Sequence, residues 1–472
     1  MPSCGDGLYG KCAAGAGRGR WHWGARRGHR PSPAGARCRG ERPLMLSSVD
    51  IWLEGIFRDL IVRLQVFEKS RLQRGQVGAA VYVAPNCTAA LSHLDIDEKD
   101  FKGTDYRGFK FVDTDCEVEQ RWTYTDEQRA QWPAGWWLVN RPDLHTALKE
   151  KAASPDGPGI PVRIHTGIGV ESVDCEAATI LLSDGTRVGG DLVVCADGVH
   201  SRSRASVAGH EVPMITAGHA CYRWLTPASR LADDPVTRTF LDRPGHFVQI
   251  TGSDRRIVLY PCSGGQLVNC VAFAPREEVG EIKKDVTGYD QRANKKQLIG
   301  HFKSWSQPVL RLLDTAPDDG VMLWDLLDME LLPNLIKGKA LLIGDAAHPF
   351  LPHMGQGAAQ AVEDACALGA IMPLGTTPEK VASRLVLWQQ CRKDRAAKIV
   401  LHTRHRSRKA DGSQGPPQTS KLCTPGVFFG FFFTCVSGRV LRQGSGPTQS
   451  TNSTRPWRIV STTMPGSMLR SS

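Results

Sequence analysis

The 472-residue chain has no Cys-x-x-Cys pair and no Cys/His grouping with the spacing of a zinc ligand set, although it carries 14 cysteines. Several, such as Cys195 and Cys270, lie inside apolar runs. They read as buried free thiols of a reducing compartment, not as a disulfide framework or a metal site. No apolar run reaches the length of about 18 residues that a membrane-spanning helix needs. The longest, Gly426–Val436, stops at eleven residues and suits at most a membrane-surface or aggregation-prone element. A basic leader followed by an apolar core is missing too, which predicts a cytoplasmic protein. Acidic residues are fewer than basic ones, 48 against 59, giving a formal charge of +11. That excess belongs to the ends: residues 1–45 hold nine Lys/Arg and two Asp/Glu, and residues 403–472 hold ten and one. The rest of the chain carries −5. A mildly acidic body argues against a nucleic-acid groove, whose binding would weaken steeply with salt.

What is present starts with residues 336–370. An apolar strand, Ala340–Ile343, runs into Gly344-Asp345-Ala-Ala-His348-Pro349, and Gly355-Gln356-Gly357 then opens an alanine-rich helix. The pattern suits a flavin: Asp345 at a ribityl hydroxyl, glycines where backbone meets a flat ring, and a helix start whose N–H groups favour negative charge. Taken alone it is also an ordinary strand, turn and helix. A second strand, Asp191–Ala196, ends in Asp197-Gly198, followed by Ser201, Arg202 and Arg204. The Asp-Gly pair turns the chain tightly, and the guanidinium groups suit a pyrophosphate.

Together these two segments resemble the paired Asp-Gly and Gly-Asp fingerprints of the single-component flavoprotein aromatic hydroxylases, the group of para-hydroxybenzoate and salicylate hydroxylase. Three further stretches extend the likeness from about Val66 to about Arg408: Val66-Phe67-Glu68-Lys69, Asn140-Arg141-Pro142-Asp143-Leu144 and Gly218-His-Ala-Cys-Tyr222-Arg223. The resemblance implies an α/β fold in which a Rossmann-like FAD-binding domain carries an inserted mixed β-sheet substrate domain. It implies FAD as cofactor, NAD(P)H as co-substrate, and O2 as the source of an oxygen atom placed on a phenolic, aromatic or polyketide-like small molecule. The cofactor-binding residues it implies are Glu68, Ala80, Arg141, Asp197, Asp345, Gly357 and Ala358. Arg223 is the residue to stabilise a phenolate or carboxylate, with Tyr260 as a catalytic hydrogen-bond partner. Pro349 and Pro352 would line the substrate side of the ring. His348 and His353 receive no catalytic role.

The sequence departs from that family at its start. The first strand and the Gly-x-Gly-x-x-Gly loop that seats the pyrophosphate read as missing, because Gly15-Ala16-Gly17-Arg18-Gly19 has no strand before it and lies about fifty residues from Glu68. A catalytically silent, FAD-poor remnant of the family is therefore the alternative function. The expected organisation is a basic, disordered head at 1–45, FAD-binding segments at 46–205 and 331–410, a substrate domain at 206–330 and a disordered tail at 411–472.

Local signals predict several elements. Ser47–Asp50 reads as a helix start, with Val49, Leu53, Ile56, Phe57 and Leu60 at helical spacing. Pro142–Ala153 reads as a helix with proline in its first turn. Residues 160–196 read as a small meander with a hairpin turn at Ser183-Asp184-Gly185-Thr186. Helices are expected near Lys295–Trp305 and Pro308–Ala316. In the helix after Gly357, Ala358, Ala361, Val362, Ala365 and Leu368 form the packed face, leaving Glu363 and Asp364 facing out.

Overall fold

The computed structural model describes residues 44–47, 64–70, 80–156, 160–280, 292–318, 320–373 and 375–409. Expectations for the head, for the glycine-rich turn at Gly15, for the helix near Val49 and for the tail beyond residue 410 lie outside the described residues.

Short, wholly apolar runs build the core sheet. Val193–Cys195 and Ala340–Leu342 have no exposed residue, as expected for parallel strands covered on both faces. Six strands lie in the order Ile336–Lys337, Ala340–Leu342, Val193–Cys195, Leu44–Ser47, Leu64–Glu68 and Arg163–Thr166. Neighbours are parallel except for the hairpin of the first two. The strand Leu44–Ser47 corrects the expectation of a missing first strand: it sits mid-sheet, pairing with Val193–Cys195 on one side and Leu64–Phe67 on the other. Four residues directly behind a Gly/Arg/Pro-rich stretch are too few to display a period, so only their neighbours identify them.

A second, eight-stranded sheet runs in the order Arg292–Ala293, Val321–Asp328, Ile215–Pro227, Leu267–Pro275, Arg256–Cys262, His246–Thr251, Gly108–Val112 and Val118–Thr123. Its last two strands come from the segment expected to belong wholly to the FAD-binding part; alternation marks a strand but does not choose its partner. Side chains alternate across this sheet. On one face Tyr222, Trp224 and Ile257 pack under the helices Lys295–His301 and Gln307–Asp314. The opposite face carries Arg223, Arg256 and Tyr260.

The expected meander is present as Val170–Asp174, Thr179–Leu182 and Arg187–Gly189. Its turn is closed by the Asp184 carboxylate, which accepts from the Thr186 amide at 2.9 Å, with Gly185 at φ +85°. The expected helix before residue 153 spans Arg141–Ala153. Gly357–Ile371 packs between the helices Pro85–Ser92 and Val381–Lys409. The last helix then reaches the large sheet, where Arg404 donates to both Asp328 carboxylate oxygens at 2.6 and 2.8 Å. Among the described residues no helix is long and apolar enough to cross a membrane.

Candidate active site

Val193–Cys195 and Ala340–Leu342 pair in register, Cys195 opposite Leu342, so both chains leave the sheet at the same edge. The turns that follow, Asp197-Gly198 and Gly344-Asp345, therefore lie side by side at the carboxyl ends of parallel strands, where open α/β sheets bind ligands. Gly198 and Gly344 take φ +74° and +55°, a backbone that costs glycine little. Glu68 ends the strand two places along and accepts from the Ser70 amide at 2.7 Å.

Arg204 joins the two turns. Its Nε donates to the Ala346 carbonyl at 2.8 Å, and a terminal nitrogen donates to the carbonyls of Asp345 at 3.0 Å and Val199 at 2.9 Å. This side chain is buried, and burial pulls its pKa down. Sequence reasoning pointed Arg204 at a pyrophosphate; the structure spends it on backbone carbonyls. Asp197 is similarly engaged at home. Its carboxylate accepts from the Ser201 and Ser203 hydroxyls, both at 2.6 Å, and from the Arg202 and Ser203 amides at 2.8 and 2.9 Å. Arg202 turns outward to Glu171 at 2.7 Å.

Below the Gly344 turn lies a charge cluster that the sequence reading missed. Glu363 and Asp364, expected to face out, are buried. Asp364 accepts from the Gly344 amide at 3.0 Å, from His348 Nε2 at 2.7 Å and from Arg392 Nε at 2.7 Å. Glu363 accepts from Arg392 at 2.7 Å, from Arg395 at 2.5 and 2.6 Å, and from Asn86 Nδ2 at 2.7 Å. Burial alone would raise both carboxyls. The Arg395 and Arg392 guanidiniums instead hold Glu363 at about 2, and His348 with Arg392 holds Asp364 at about 2. The error has a physical cause: a helix covered on both sides has no solvent face, and the covering helix brings its own cations. Arg392 and Arg395, one turn apart on that helix, were the available signal. His348 is thus a buried hydrogen-bond partner of Asp364.

The Gly357 helix opens beside these turns. Gly355 takes φ +60°, and a Cβ there would stand 2.0 Å from Tyr82 Cδ2, so only glycine fits. Gly357 and Ala358 remain partly exposed at the helix start. Ala80 is fixed from the large sheet: its amide donates to Asn269 Oδ1 at 3.0 Å and its carbonyl accepts from the Tyr260 hydroxyl at 2.9 Å. Burial raises the Tyr260 phenol well above its ordinary range. Ala80 pairs with Asn140, which places Arg141 next along, at the first turn of its helix. There burial and the Arg141 cation together hold His145 down at about 4.

Arg223 lies across the large sheet, its guanidinium 4.3 Å above the Trp324 ring. Its Nε, the Tyr82 hydroxyl and the Asn269 amide nitrogen are buried without a hydrogen-bond partner among the described residues. The rings of Tyr82, Phe247 and Tyr260 are in mutual contact at centroid distances of 4.9 to 6.2 Å, Phe247 stacked on Tyr260 and Tyr82 tilted against both. An aromatic wall with unspent polar groups thus faces the Gly355 turn.

A flavin dinucleotide fits this arrangement. The glycine turns admit a close approach that a Cβ would block, the Gly357 helix offers N–H groups, and the half-buried Asp345 sits between them. Among the described residues no group of three or more His, Cys, Asp or Glu is placed to hold a metal.

Comparisons agree with the geometry. A family profile described as an FAD binding domain matches residues 116–403. Hispidin-3-hydroxylase of Neonothopanus nambi is 30% identical over 77% of this chain and 88% of its own. Among solved structures, CtdE in complex with FAD and substrate 4 superposes with a TM-score of 0.67 at 19% identity, covering 85% of this chain and all of that one. A salicylate hydroxylase substrate complex gives 0.64 at 22%, covering 88% of this chain and 100% of that one. The alternative of a silent remnant is not favoured by these likenesses, and the chain belongs to the FAD-binding-domain family of FAD-dependent monooxygenases.

Proposed function

We propose that this monooxygenase hydroxylates a phenolic or related aromatic or polyketide-like small molecule, with NAD(P)H as electron donor and O2 as oxygen source. The observation that carries this reading is the face around Arg223: a fixed cation stacked on Trp324, with an unspent Nε, beside the Tyr82, Phe247 and Tyr260 rings. A flat apolar substrate with an ionisable oxygen is the complement of such a surface. The hydroxylated substrate named for the Neonothopanus nambi relative supports it.

FAD, when bound, supplies the electrons that make oxygen reactive toward a ring. The chain's residues do the rest. Arg223 lowers the energy of an anionic, more nucleophilic ring. Tyr260, its proton donated to the Ala80 carbonyl, acts by positioning Ala80. Asp345, Glu68, Arg141 and the Gly357-Ala358 amides hold the cofactor, while Asp197 shapes its turn through four local hydrogen bonds. Pro349 and Pro352 fix carbonyls on the substrate side. The same reading assigns 46–205 and 331–410 to the cofactor and 206–330, with the strands at 108–123, to the substrate. Cys87, Cys221 and Cys270 are buried free thiols, which supports a cytoplasmic location.

The colour of the purified protein is the first test: flavin absorption near one equivalent per chain is expected, and a colourless chain that FAD does not reconstitute would refute the proposal. Asp345→Ala should lower FAD occupancy. Arg223→Ala should keep FAD and lower coupled hydroxylation about 100-fold, reducing equivalents being lost to hydrogen peroxide. Equal coupled turnover by wild type and Arg223→Ala would remove that residue's assignment.

A further inference from the structure

Ala80 opens the strand Ala80–Val83, at the edge of a three-stranded sheet with Trp137–Asn140 and Thr104–Asp105. In an antiparallel ladder alternate residues turn both backbone groups away from the partner strand. Ala80 does so opposite Asn140, and among the described residues no further strand receives them. Two side chains of the eight-stranded sheet take that place. Asn269 Oδ1 accepts from the Ala80 amide at 3.0 Å, and the Tyr260 hydroxyl donates to the Ala80 carbonyl at 2.9 Å.

Tyr260 and Asn269 lie directly opposite each other on neighbouring antiparallel strands, which turns both side chains to one face, about 5 Å apart at their Cβ atoms. Both are buried. A buried backbone group deprived of its partner is costly, so each hydrogen bond resists withdrawal of the Ala80 strand. The hairpin that joins the two strands is fastened nearby: the Ser263 hydroxyl donates to Asp143 at 2.7 Å, and the Gly265 amide donates to Thr104 Oγ1 at 2.9 Å. Whatever moves Ala80 also moves Tyr82, two residues along on the same face of its strand. The Tyr82 ring lies 4.9 Å from the Tyr260 ring, and so close to Gly355 that a Cβ there would stand 2.0 Å from it.

We propose that Asn269 and Tyr260 form a clasp on the two backbone groups of Ala80, by which the large sheet holds the Ala80–Tyr82 stretch and the Gly355 turn at the spacing that receives FAD. This inference rests on the cofactor placement given above and makes Asn269 a positioning residue beside Tyr260. Neither side chain has to touch the cofactor. Ala80, Tyr82 and Gly355 pass the position on, so a substitution in the substrate sheet is felt as looser FAD.

The test measures FAD release from the full-length holoprotein by ultrafiltration, alongside its melting temperature. Asn269→Leu keeps the size and removes the acceptor, and Tyr260→Phe removes only the donor; each should weaken FAD binding about ten-fold, the size of one buried hydrogen bond. Because both act on one residue, the double variant should lose much less than the roughly 100-fold of two independent sites. Asn269→Asp, which returns an oxygen to the same place, should recover part of the affinity. Val268→Ala opens a cavity on the opposite face of the same strand; it should lower the melting temperature and leave FAD affinity within about two-fold of wild type, which separates positioning from general loss of stability. FAD held within about two-fold of wild type by both Asn269→Leu and Tyr260→Phe overturns the clasp and leaves the cofactor placement standing, and so does a double variant that loses the full product of the two. A wild-type chain that does not hold FAD overturns both.

Discussion

Replacing Arg392 by methionine removes the centre of the buried charge cluster while keeping most of its volume. In the folded chain Arg392 donates to Asp364 at 2.7 Å, to Glu363 at 2.7 Å and to Gln360 Oε1 at 2.8 Å, with 1% of its surface exposed. Its loss leaves Glu363 with Arg395, but Asp364 with only His348 and the Gly344 amide. Deleting one partner of a buried pair costs about 3 to 5 kcal/mol, mostly the penalty of the charge left behind. Unfolding entropy is about 2 cal/mol/K per residue, so for a body of this size the melting temperature should fall by roughly 4 °C. Asp364 also fixes the Gly344 amide that precedes Asp345, so FAD retention should fall in parallel. Scanning calorimetry and the flavin-to-protein absorbance ratio would measure both. Adding Asp364→Asn to Arg392→Met neutralises the stranded carboxylate and should recover part of the lost stability. A single variant melting within about 1 °C of wild type, or a double variant no more stable than the single, would refute the reasoning.

The same cluster predicts the acid limit of the fold. Glu363 and Asp364 sit at about 2 when folded, below their ordinary 4.5 and 3.8. The unfolded chain therefore takes up protons first, so the stability they contribute, about 2 kcal/mol or more each, is intact above about pH 4.5 and is lost progressively toward pH 2. Urea midpoints measured across that window should fall for wild type and fall less for the Glu363→Gln, Asp364→Asn pair. Gly355→Ala sets a Cβ 2.0 Å from Tyr82 in a left-handed backbone. It should cost at least about 1 kcal/mol from the backbone alone. Shortening the ring by Tyr82→Ala should relieve only the steric part, which thermal melts of the single and double variants would separate.

How much of the site was legible in advance follows from what is local. The strands at Val193 and Ala340, the hairpin at Asp184 and the helix at Arg141 announce themselves through short-range pattern and turn chemistry. The resemblance carried by Asp197, Asp345 and Arg223 named the family. Roles set by distant partners did not show: Arg204 was aimed at phosphate and bridges two backbones.

The sequence by itself determined the apolar strands, the glycine turns that end them and the order in which they occur, because period, turn chemistry and backbone freedom are properties of neighbouring residues. Tertiary structure alone decided that Leu44–Ser47 completes the parallel sheet, that Gly108–Val112 and Val118–Thr123 join the eight-stranded sheet, and that Glu363 and Asp364 lie inside. Strand partners and the neutralisation of buried charge come from segments far away in the chain. For the two acids, the deciding cations stand on a helix that begins 17 residues beyond Asp364.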